Sequence, residues 1–155
     1  MGFLENRIPP PIVMLATAAI MLALDQFAPG LRIGVEVHVA QSLGGMIAFS
    51  GFAIDVYCLL NFLVRKTSAS PLKPEKASSI IRTGFYRLSR NPMYLGMVIV
   101  LLGWAVMLLN PMALIGLPLF VAFIQRFQIA PEERALTRLF GEEYIAYTRQ
   151  VRRWI

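Results

Sequence analysis

Long apolar runs separated by short polar stretches set the pattern of this chain. The runs cover residues 9–28, 39–64, 93–109 and 111–127. An α-helix rises about 1.5 Å per residue, so a run of about 20 reaches roughly 30 Å, the thickness of a bilayer's hydrocarbon core. The pattern predicts four membrane-spanning helices. Pro9, Pro10 and Pro11 suit a helix start, where the N–H groups have no intrahelical partner anyway, and Pro29-Gly30 ends the first span. Asn110-Pro111 is a turn signal that folds the third and fourth spans into an antiparallel hairpin. Pro118 is expected to kink the fourth. Gly44, Gly45, Ala48, Ser50 and Gly51 make the second span rich in small residues, which let helices approach closely in lipid.

The polar remainder divides into a loop, 65–92, and a tail, 131–153. The tail reads as two helices. Pro131 suits a first helical position, and Glu132 and Glu133 suit a first turn because the helix dipole favours anions there. Gly141 separates this helix from a second, Glu142 to Arg153, with Tyr144, Tyr147 and Val151 on one stripe. The expected fold is all-α: a single polytopic membrane domain, 1–155, of four transmembrane helices with a cytosolic C-terminal helical cap.

Composition supports a membrane class. Hydrophobic residues make up 57% and charged residues 15%, against roughly 25% charged in soluble proteins. The net charge of +6 raises the question of nucleic acid. The basic residues flank apolar runs, however, so lipid head groups explain them better and no nucleic-acid partner is expected. Thirteen of the fifteen lie in the 65–91 loop or after the fourth span, while Asn110 has none nearby. The positive-inside rule then puts both termini in the cytosol. Arg7 and the first apolar run lack a clear cleavage site, so a cleaved signal is not expected. One cysteine, Cys58, and one histidine, His38, exclude a disulfide and a Cys/His-rich metal site, and no metal is expected.

The stretch Gly84-Phe85-Tyr86-Arg87-Leu88-Ser89-Arg90-Asn91-Pro92-Met93-Tyr94-Leu95-Gly96 leads into the third span. Glu132-Glu133 follows the fourth span, and Phe140-Gly141-Glu142-Glu143-Tyr144-Ile145-Ala146-Tyr147 and Arg149 to Arg153 come next. In this order the elements resemble the isoprenylcysteine carboxyl methyltransferase family and its phospholipid methyltransferase-like bacterial relatives. The resemblance runs from Ile80 to Arg153. It implies an S-adenosylmethionine-dependent membrane methyltransferase of a bacterial inner membrane, with a lipophilic or membrane-partitioned acceptor entering from the lipid. By the same resemblance Arg90, Asn91, Tyr94 and Arg149 are catalytic candidates. Gly84, Tyr86, Asn91, Pro92, Tyr94, Gly96, Glu132, Glu133, Tyr144 and Tyr147 are cofactor-binding candidates, one of the two glutamates taking the cofactor's ammonium. Phe85 stands where the family has proline. Asn91 stands where it has histidine, and asparagine does not titrate near neutral pH, which puts proton transfer there in doubt.

The residue chemistry fits independently. S-adenosylmethionine presents a carboxylate, an ammonium, an adenine and a sulfonium, and arginines, glutamates and tyrosines answer the first three. Taken singly, Arg87 and Arg90 read equally well as positive-inside anchors and the tyrosines as an aromatic belt; the joint spacing favours a site. Two other classes stay open: an NADPH-dependent membrane reductase of sterol-reductase-like scaffold, and a non-catalytic membrane scaffold. Prenylcysteine, phospholipid amine, quinone-like and small volatile acceptors all fit. Asp55, about 15 Å into the second span from Arg65, either faces the bundle interior and Asn61 or lines an acceptor pocket. Asp25 reads as an interfacial residue.

Overall fold

A computed structural model describes residues 5–31, 33–64 and 79–155 of the chain. Arg32, Arg65, Lys66, Lys73 and Lys76, counted above among the basic residues, lie outside the described residues. The described chain is helical: α1 Pro10–Phe27, α2 Val37–Val64, α3 Pro92–Leu108, α4 Gly116–Ile124, α5 Ala130–Phe140 and α6 Glu142–Gln150. A short 3-10 helix, Gly84–Arg87, precedes α3, and another, Pro111–Ile115, begins the fourth apolar segment. The protein is an all-α polytopic membrane protein. Among the described residues, three segments are long and apolar enough to cross a bilayer: Pro10–Phe27, Val37–Val64 and Pro111–Phe140. The apolar α3 is shorter, 17 residues.

Helices α2 and α3 pack through glycines set seven apart on each. A Cβ on Gly103 would lie 2.6 Å from Ala48 N, and one on Gly44 would lie 3.1 Å from Met107 N. One turn-pair further on, a Cβ on Gly51 would lie 2.8 Å from Val100 N, and one on Gly96 would lie 2.8 Å from Gly51 O. Backbone meets backbone along the whole seam, the close approach that small residues allow in lipid. The outer face of α2 carries Met46, Phe49, Phe52 and Leu63, all exposed. Apolar and unpaired, these side chains face lipid.

On the other side of α3, Tyr94, Met97, Leu101 and Ala105 pack with Met21, Phe120, Ile124 and Ile129 in the main core. Helix α1 contributes a stripe at helical spacing: Val13, Thr17, Met21 and Asp25. Met21 fills the space left by Gly116. The Trp104 Nε1–H donates to Ala18 O at 3.1 Å.

At the hairpin end, Asn110 ties three elements together. Its Nδ2 donates to Asp25 Oδ1 at 3.1 Å and to Ala28 O at 2.9 Å, and its Oδ1 accepts from Met112 N at 3.0 Å. Asp25 is 2% exposed. It is an interior partner of Asn110, not the interfacial residue expected, because the hairpin turn folds over the end of α1.

The fourth apolar segment and the first tail helix form one helical rod, Pro111–Phe140, not two helices broken before Pro131. Pro131 has no N–H to give Phe127 O, its partner four residues back. The backbone accommodates this with a π-helical turn, Gln125–Ile129, in which Ala130 N reaches back to Gln125 O. The freed Phe127 O accepts instead from Asn6 N at 3.0 Å. The start of the chain is thereby fastened beside the end of the fourth span. Glu5 adds ion pairs to Arg134 at 2.7 Å and Arg126 at 3.7 Å.

Candidate active site

Three segments meet at the end of the bundle opposite Asn110: the turn before α3, the first turn of α5 and the chain's C-terminal residues. Gly84 opens the first with φ +60, in the left-handed region that favours glycine, and a Cβ there would run into the Tyr57 ring. The 3-10 turn that follows buries Tyr86, whose carbonyl accepts from Tyr147 Oη at 2.7 Å. Tyr86 also meets Phe62 of α2 edge-on, with centroids 5.8 Å apart. Pro92 occupies the first turn of α3, where the missing N–H is harmless, and starts the helix directly after Asn91.

Arg90 and Tyr94, four residues apart, present their side chains to α5. Arg90 forms an ion pair with Glu133 at 3.1 Å. The Tyr94 hydroxyl donates to Glu132 Oε2 at 3.1 Å. Both glutamates of the α5 first turn therefore reach the start of α3, one through a charge and one through a neutral donor.

The C-terminal residues cross this junction in extended form. Arg152 O accepts from Arg90 N at 3.0 Å. Arg153 O accepts from Asn91 Nδ2 at 2.9 Å and from Ser89 Oγ at 3.3 Å. The Arg153 guanidinium forks onto Glu133, Nε to Oε1 at 3.1 Å and Nη2 to Oε2 at 2.6 Å. Trp154 packs against the main core. From the far flank, Arg82 donates to the Glu143 carboxylate at 2.9 Å and to its carbonyl at 3.0 Å, and lies 5.8 Å from the Tyr147 ring centre.

Electrostatics follow from burial. Tyr147 is pushed up to about 12 by burial, against the pull of Arg90 and Arg82. Burial raises Tyr86 and Tyr144 further, with Glu133 adding to the shift at Tyr144. All three stay hydroxyls at neutral pH. Hydrogen bonding to Glu133 raises Arg153 and holds it charged.

The structure thus brings Tyr86, Arg90, Asn91, Pro92, Tyr94, Glu132, Glu133, Tyr144 and Tyr147 to one end of the bundle. Two sequence candidates, Gly96 and Arg149, lie away from it, and Asn91 lies in it with its amide already engaged. Gly96 turns away from the junction, toward α2, and its open side takes the Asp55 carboxyl, while Asn61 bonds its own helix at Tyr57 O, 2.9 Å. Asn91 spends its amide on the tail. Arg149 is exposed on α6, and Arg153 is the tail arginine that reaches the junction. The resemblance singles out Arg149 within the basic run, and no local signal in the sequence points to Arg153. The choice depends on α6 ending at Gln150, after which the chain runs extended over the turn before α3.

A helical membrane bundle with a charged, tyrosine-rich junction at one end defines an integral membrane protein with a polar site at its surface. The chain belongs to the phospholipid methyltransferase family, whose sequence profile matches residues 39–143. It is 35% identical over 82 residues to protein-S-isoprenylcysteine O-methyltransferase of Saccharomyces cerevisiae, covering 51% of this chain and 33% of that protein. It is 27% identical over 135 residues to the protein-S-isoprenylcysteine O-methyltransferase of Tribolium castaneum, covering 81% of this chain and 43% of that protein. It is also 44% identical over 63 residues to an uncharacterized protein of Haemophilus influenzae, covering 41% of this chain and 100% of that protein. The chain spans less than half the length of the two named methyltransferases.

Proposed function

We propose that this chain transfers a methyl group from S-adenosylmethionine to a lipophilic acceptor at a membrane surface. One observation carries the reading: Arg90, just before α3, and Tyr94, in its first turn, meet Glu133 and Glu132 of α5 at a single junction, at 3.1 Å in each pair.

The donor set suits the amino-acid end of this cofactor. Glu132 accepts one hydrogen bond from a neutral phenol and keeps acceptor capacity for an ammonium. The Arg90 side chain is partly buried, and its enclosed Nε has no hydrogen-bond partner among the described residues, so it retains a donor for a carboxylate. Tyr86, Tyr144 and Tyr147 supply aromatic surface for an adenine. When bound, S-adenosylmethionine supplies an activated methyl group on a sulfonium.

The protein's own contribution is positioning and exclusion of water. Methyl transfer is an in-line displacement, so holding donor and acceptor in line lowers the barrier without a protein nucleophile. Asn91 offers no titrating group near neutral pH, and proton removal from the acceptor falls to another base or is not needed. The exposed apolar faces of the helices support an acceptor that arrives through lipid. Arg82, Arg90, Arg126, Arg134 and Arg153 cluster at the site end, which supports a cytosolic site and both termini in the cytosol.

Binding tests the reading. Detergent-solubilised protein is titrated with S-adenosylhomocysteine and separately with NADPH. S-adenosylhomocysteine is expected to bind, and Glu132→Gln to weaken it by about tenfold or more through loss of the charge-assisted bond. Binding of NADPH alone, or of neither ligand, overturns it.

A further inference from the structure

Glu133 is shared by two arginines, and the sharing is unequal. Arg153 takes it by a two-point fork. Arg90 meets it by an ion pair from Nη2 to Oε1 at 3.1 Å, with its Nε unpartnered among the described residues. Two guanidiniums and one carboxylate leave one positive charge in a partly enclosed group, whose side chains are 12%, 17% and 36% exposed for Arg90, Glu133 and Arg153. The buried Arg90 Nε meanwhile has no acceptor among the described residues. A buried N–H without a partner is costly and calls for one.

The physical preference of an isolated arginine–carboxylate pair is the two-point fork. Without Arg153, Glu133 would be free to close on Arg90 in that way and consume both of its N–H positions. With Arg153 in place, Glu133 is already forked and the Arg90 Nε–H stays uncommitted. Arg153 is delivered by backbone contacts that do not involve its own side chain, namely Arg90 N to Arg152 O and Asn91 Nδ2 to Arg153 O.

We propose that residues 151–154 form a strap that positions the cofactor site, with Arg153 holding Glu133 so that Arg90 keeps its Nε–H free for the carboxylate of the bound cofactor. Arg153 is a positioning residue: it acts through Glu133 and touches no reacting atom. The inference rests on the adenosylmethionine reading above.

The test compares two ligands on the full chain in detergent. One is S-adenosylhomocysteine. The other is its decarboxylated analogue, which keeps the amine, ribose and adenine. Arg153→Ala is expected to weaken S-adenosylhomocysteine by about tenfold or more while changing the analogue by less than about twofold. Arg153→Lys keeps the charge without the fork, so it should fall between wild type and alanine for S-adenosylhomocysteine alone. Equal loss on both ligands would mean that Arg153 merely holds the structure, and no loss on either would mean that it is idle; each overturns the proposal. Wild type binding both ligands equally removes the carboxylate contact and leaves the cofactor reading standing. Wild type binding neither removes both.

Discussion

Tyr94 and Glu132 are joined by a 3.1 Å hydrogen bond between the start of α3 and the start of α5, while the neighbouring Glu133 is held by two arginines. Adjacent carboxylates in one helical turn thus have different work. Glu133 is structural ballast for two cations, and Glu132 has a single weak claimant.

Their substitutions should separate accordingly. Glu133→Gln strips the anion from two partly buried guanidiniums and is expected to lower stability by about 1–3 kcal/mol. Glu132→Gln keeps an amide oxygen for the Tyr94 hydroxyl and should leave the unfolding temperature nearly unchanged while weakening S-adenosylhomocysteine. Thermal unfolding in detergent beside ligand titration reads both. Equal stability losses would show that the two glutamates share one role.

The glycine seam gives a position-specific prediction. Gly103→Ala puts a methyl 2.6 Å from Ala48 N, and only separation of α2 and α3 relieves it. A loss of about 1–3 kcal/mol is expected, as for overpacking elsewhere. Gly45→Ala is the control, since its methyl would meet only Met107 Cε at 3.6 Å. Comparable unfolding for both variants would place the helix contact elsewhere.

Asn110→Ala removes four side-chain hydrogen bonds at the hairpin end and leaves the Asp25 carboxyl without one of its donors. Stability should fall by about 1–3 kcal/mol, with cofactor affinity unaltered because the site lies at the opposite end. A parallel loss of affinity would argue against that separation.

Alkaline titration reports on Tyr147. Its hydroxyl is pushed up from 10.0 to about 12 by burial. Because the folded state holds this proton more tightly, the associated stability is present below pH about 10 and is lost as pH rises toward 12. Tyrosinate absorbance should show a late step that Tyr147→Phe deletes. Retention of that step in the variant would assign it to another tyrosine.

Hydropathy made the apolar helices legible, because each run needed only length and an absence of charge. The junction was legible in part. Arg90, Tyr94, Glu132 and Glu133 stood out as polar residues beside apolar runs, and they do meet. Asp25 was misread because its partner, Asn110, looked like ordinary turn chemistry; a pair so far apart in the chain has no local signature. The break before Pro131 was misplaced for a related reason. A proline forbids one hydrogen bond, but whether the helix ends or adds a residue depends on what else claims the freed carbonyl, here Asn6.

That added residue works as a phase setting on a screw. A π turn holds one residue more than an α turn, so the helix beyond it is rotated by about 100° and advanced by about 1.5 Å relative to an uninterrupted rod. Wound as plain α-helix through Gln125–Ile129, the rod would aim Glu132 and Glu133 a quarter-turn or more away from Tyr94 and Arg90. The angular alignment of the acidic pair is therefore decided below it, where a proline gives up a backbone oxygen that Asn6 takes.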